Sequence, residues 1–166
     1  MTSDARFTPE EWKDLLGGVF MTGFAVTAAQ PSGLFGMLRE GLASRRALAE
    51  ASKSASTNEL IKSVASALRS PTGRNITNEF AGAHLKGAAQ EDLKMLAIQA
   101  LNHAAAIVDR RAPDDAQAFK EWLLHIATRV AQASKEGSFF GFGGAVIGDT
   151  ETATLGEIAA ALGLRG

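Results

Sequence analysis

Two long stretches with apolar residues at three- and four-residue steps, separated only by Ala112-Pro113-Asp114-Asp115, restrict the fold more than any other feature of this chain. From Ala89 to about Arg110, the stripe is Leu93, Leu96, Ala97, Ala100, Leu101, Ala104, Ile107 and Val108. After the break, Phe119, Trp122, Leu123, Ile126, Ala127 and Val130 continue the pattern to about Lys135, with Pro and two acids placed where a helix begins. So short a connection predicts an antiparallel helical hairpin. No stretch shows sustained apolar/polar alternation flanked by turn chemistry, so nothing predicts a sheet.

The rest of the chain supplies partners for that hairpin. Thr8-Pro9-Glu10-Glu11 opens a first helix, with Thr8 as cap, Pro9 at the first helical position and Glu11 completing a capping box. That helix runs to about Ala29 and buries Trp12, Leu15, Leu16, Val19, Phe20 and Phe24, while Gly17, Gly18 and Gly23 let another backbone approach closely. Leu34, Phe35, Leu38, Leu42 and Leu48 predict a second helix, whose Arg39, Arg45, Arg46 and Lys53, interspersed with Glu40 and Glu50, read as a solvated face. A capping box at Ser56-Thr57-Asn58-Glu59 opens a third helix through Leu60, Ile61, Val64 and Leu68, which Ser70-Pro71-Thr72-Gly73 ends. Arg74 to Gly87 has weak periodicity and reads as a short helix or ordered loop. Gly137 caps the hairpin's second helix, and Asp149 or Thr150 opens a last one that buries Leu155, Ile158, Ala159 and Leu162 and stops at Gly163. The expectation is an all-α, single-domain bundle of six or seven helices over residues 1–166. Within that one domain two pseudo-repeated halves, 1–70 and 89–166, are suggested, since Trp12-Leu15-Leu16…Gly33-Phe35-Gly36 resembles Trp122-Leu123-Leu124…Gly137-Phe139-Gly141.

Composition excludes several functions. With 166 residues there is room for one core. Cys and Tyr are absent, which removes disulfides, thiolate nucleophiles and phenolic acids, while 31 Ala and 17 Gly favour closely packed helices. Seventeen Lys plus Arg against eighteen Asp plus Glu give a net charge of −1, so no positive field draws a nucleic acid. Leu15 to Leu38 is uncharged over 24 residues, nominally long enough to cross a bilayer. Its flank lacks the positive charge of a signal peptide and Gln30-Pro31-Ser32-Gly33 interrupts it, so a buried helix and turn are expected, with insertion through 15–38 as the alternative and the cytoplasm as location.

Chemistry-bearing groups are few. In an antiparallel hairpin His103 lies opposite about Trp122 and His125 opposite about Ala100, roughly one turn (~5.4 Å) apart. With Glu121 four residues before His125, the three could offer a metal nitrogen and oxygen ligands; the paired Glu-x-x-His of di-iron bundles is absent, and no cofactor is expected. Gly141-Phe142-Gly143-Gly144 is preceded by no strand and followed by no Lys-Ser/Thr, so it is not a phosphate loop. Phe139, Phe140 and Phe142, with Gly141 and Gly143 between and after them, either plug the core or form an apolar contact surface. No G-x-S-x-G, H-E-x-x-H or paired acids in an apolar frame nominate an enzyme.

The run Val130-Ala131-Gln132-Ala133-Ser134-Lys135-Glu136-Gly137, followed by Val146-Ile147-Gly148-Asp149-Thr150-Glu151 and by Leu155, Ile158, Ala159, Leu162, Gly163 and Leu164, resembles the tellurite-resistance TerB-like all-helical family. The resemblance covers about a quarter of the chain, with Glu136 where that family carries Asp and Ser138 to Ala145 as an insertion. It implies a small stress-associated or membrane-complex adaptor without catalysis. The expectation is therefore a non-enzymatic interaction protein, self-associating or binding a protein partner through Ser138 to Gly148, with membrane association and metal binding as alternatives.

Overall fold

The computed structural model describes residues 4–28, 58–136 and 149–164. Among these, six helices are present and no strand: α1 Pro9–Ala28, α2 Glu59–Arg69, α3 Pro71–Leu85, α4 Gln90–Arg111, α5 Pro113–Glu136 and α6 Asp149–Ala161. The all-α expectation holds. The helix expected over residues 34–48, the Ser138 to Gly148 segment and the Gly/Phe parts of the two similar stretches lie outside the described residues.

Helix α1 is central, packing most extensively on α4 and also meeting α5, α3, α6 and α2. The reason is its side chains: Trp12, Leu15, Leu16, Val19, Met21, Ala25 and Val26 are all buried, so it presents apolar surface in nearly every direction. Two glycines set how close its neighbours come. A Cβ on Gly18 would stand 2.6 Å from that of Ala104 on α4, and one on Gly17 would enter the Phe80 ring of α3. The apolar half of the uncharged run is thus spent on the core. No helix among the described residues is long and apolar enough to cross a membrane.

The hairpin forms, with Pro113 opening α5 two residues after Arg111 closes α4. Its two helices do not zip against each other along their length; α1 takes the larger share of α4. Leu101, Ala104 and Val108 of α4 and Phe119, Leu123, Ile126 and Val130 of α5 join one contiguous core with α1.

Two expectations change in α2 and α3. The cap of α2 is Asn58, whose side chain accepts from Ile61 N–H, rather than Ser56 with Glu59. Residues 71–85 form a full helix where a short helix or loop was expected, because Ser70 serves both ends: its hydroxyl donates to the Ala67 carbonyl and accepts from Gly73 N–H. Pro71 then sits at the first helical position, where its missing donor costs nothing. Periodicity was weak there because α3 buries only Gly73, Thr77 and Phe80, one residue every three to four, and two of them are not large apolar groups.

Candidate functional site

The densest polar constellation lies where the start of α1 meets the α4–α5 corner. Thr8 Oγ1 accepts from Glu11 N–H at 3.1 Å and Glu11 Oε2 accepts from Thr8 N–H at 3.0 Å, so the capping box read from the sequence is formed. The same Glu11 carboxylate accepts from Arg110 at 2.9 Å and Arg111 at 3.0 Å. The Thr8 N–H, then the two guanidinium groups, hold its pKa down at about 2. One turn before α1, Arg6 binds Asp4 and Asp115, both at 2.7 Å, and Asp115 also accepts from Asn58 Nδ2 at 3.3 Å. The bonds from Asp4 and Asp115 push the Arg6 guanidinium pKa up, and those from Arg6 lower that of Asp4. Every carboxylate in this cluster is already paired with a cation. The arrangement suits fastening rather than proton transfer.

The histidines are not gathered. His103 is turned toward α1, where its Nε2 lies 3.1 Å from Asp14 Oδ2, and it is 61% exposed. His125 is exposed on α5, and the exposed Glu121 accepts a hydrogen bond from Gln117 at 2.7 Å. Among the described residues no three His, Asp or Glu side chains converge as metal ligands. The expected His103–His125–Glu121 grouping is therefore corrected: it assumed α4 facing α5, whereas α1 occupies the groove and takes His103 to itself. His84 Nδ1–H donates to the Phe80 carbonyl at 2.9 Å and the imidazole stacks on the Phe80 ring at 3.9 Å, a local packing role.

Phe139, Phe140, Phe142, Gly141 and Gly143 lie outside the described residues. Among those described, the large apolar side chains left in solvent are Phe20 on α1, 41% exposed, and Met95 on α4, 53% exposed. Phe20 was expected in the core. It is 41% exposed although Val19, Met21 and Thr22 on the same turn of α1 are buried, so Phe20 occupies the one position of that turn that points away from the neighbouring helices. Gln99 and His103, four and eight residues after Met95, are also exposed, so that side of α4 faces solvent.

Sequence reasoning missed the pairs Asp14–His103, Glu11–Arg110/Arg111 and Arg6–Asp115. The partners are about a hundred residues apart, and the only local hint was two cations in the last turn of α4. No family model, no curated protein and no solved structure matches this chain.

Proposed function

We propose that this protein is a non-enzymatic helical interaction module that binds a protein partner or a second copy of itself. The observation that carries the reading is the exposure of Phe20 and Met95, the large apolar side chains left in solvent among the described residues. The ion-paired state of the polar cluster at the α4–α5 corner supports it further, since Glu11 held near pKa 2 is a poor general base at neutral pH. The Phe139-Phe140-Phe142 segment adds a second apolar candidate surface from the sequence. Support for an adaptor of the TerB-like kind is limited to the shape of the chain end: α5 runs to Glu136, α6 opens at Asp149, and Leu162-Gly163-Leu164 closes it with Gly163 at φ +74°.

Multi-angle light scattering over a range of concentrations tests the reading. Self-association that Phe20→Ser with Met95→Ser, or Phe139→Ser with Phe140→Ser and Phe142→Ser, abolishes would support it and say which surface acts. A monomer at every concentration, together with unchanged recovery of co-purifying proteins in both variants, would sink it.

A further inference from the structure

We propose that residues 4–8 form a charge-latched strap over the aromatic end of the core, which opens locally as salt rises and uncovers Trp12. The strap is a turn closed by Phe7 N–H donating to the Asp4 carbonyl at 3.1 Å. It delivers one apolar side chain, Phe7, which is 7% exposed and packs 5.9 Å from the Trp12 ring at a tilt of 44°. Everything else that fastens it is ionic or capping. Arg6 reaches across to Asp115 on α5, Asp4 grips the same guanidinium and keeps it aimed, and at the other end Thr8 is tied to Glu11, itself held by Arg110 and Arg111 of α4.

Three observations make this a latch rather than ordinary core packing. The strap buries a single large side chain of its own, worth about 1.5–3 kcal/mol, so several ion pairs at up to about 1 kcal/mol each make up a comparable share of what holds it down. Its anchors are ion pairs with partly solvated partners, which salt weakens. Beneath it, the Trp12 indole N–H, like that of Trp122, is buried with no acceptor among the described residues, so water that reaches the ring regains a hydrogen bond lost in the closed state. Salt, rather than acid, is the operating variable: Glu11, with a pKa of about 2, stays ionised through the ordinary pH range. Asp115 relays the event to α2, because its other oxygen receives Asn58, the cap of that helix.

Acrylamide quenching of Trp12, read in a chain whose other indole is removed by Trp122→Phe, tests the strap, since acrylamide is neutral. Between about 0.05 and about 1 M salt, where the Debye length falls to about 3 Å, quenching should rise about threefold, and the Arg6→Gln/Glu11→Gln chain should start at the raised level. In the unmutated chain, hydrogen exchange at the Phe7 and Trp12 amides should quicken about threefold over the same range while Leu123 stays fixed, which covers the case of Trp122→Phe failing to fold. Trp12 quenching and amide exchange indifferent to salt, or rising only in step with Trp122 and Leu123, would overturn the proposal.

Discussion

Replacing Gly17 by Ala should destabilise the bundle although alanine is the better helix former. In the middle of α1 the exchange gains about 0.5–1 kcal/mol of helix propensity. The new methyl, however, would stand within 2.5 Å of Cδ1 and Cδ2 of Phe80, atoms near the root of a rigid ring that is itself stacked on His84. Overpacking of this kind costs about 1–3 kcal/mol and a methyl this deep in a ring takes the upper part, about 2–3 kcal/mol, so after about 1 kcal/mol of propensity the net loss is about 1–2 kcal/mol. For a chain of this size that lowers Tm by roughly 2–8 °C. Gly82→Ala and Gly156→Ala are the matched controls, because both sit inside helices with nothing within 4 Å of a new Cβ. They should gain about 0.5–1 kcal/mol each. Urea unfolding followed by circular dichroism measures all three, and adding Phe80→Leu should recover part of the Gly17→Ala loss as a coupling of about 0.5–3 kcal/mol. If Gly17→Ala were as stable as the parent, or if its loss were the same with Phe80 shortened, the claim that α3 docks by placing its ring on Gly17 would be refuted.

Further outcomes follow from the caps and ion pairs. Gly73→Ala would drive a methyl into the Ala67 carbonyl at the α2–α3 junction, so a loss of roughly 2 kcal/mol or more is expected in the same urea assay, with α3 amides the first to lose exchange protection. Asn58→Ala removes the bond to Ile61 N–H and should cost about 1 kcal/mol, read as a lower urea midpoint with an unchanged slope. Glu11 has a folded pKa of about 2 against an ordinary 4.5, so it binds fewer protons folded than unfolded. Its contribution is complete above about pH 4.5 and lost as pH falls toward 2; the parent should therefore lose stability over that window more steeply than Glu11→Gln, and parallel curves would contradict the assignment. His103→Gln removes only an exposed pair with Asp14 and should shift stability by less than about 1 kcal/mol in thermal melts.

Much of the architecture is legible in the sequence. Local rules placed the start of α1, the break at Ala112-Pro113 and the start of α6, because capping boxes, proline at the first helical position and acidic first turns act within a few residues. The same locality explains the errors. Ser70-Pro71-Thr72-Gly73 ends one helix and also starts the next, and the weak stripe on α3 concealed a helix whose one large buried side chain is Phe80.

The candidate site was less legible. Asp14–His103, Glu11–Arg110 and Arg6–Asp115 each join charged residues that look ordinary in their own local segments, and no spacing rule connects positions about a hundred residues apart. What the sequence determined by itself is the helical class, most helix ends and the chemistry withheld from the chain by its lack of Cys and Tyr, all consequences of short-range sterics and composition. Tertiary structure decided which helix lies at the centre. The apolar surface of α1 and its two small residues let α3 and α4 close around it, and that choice separated His103 from His125, left Phe20 in water and assembled the strap over Trp12.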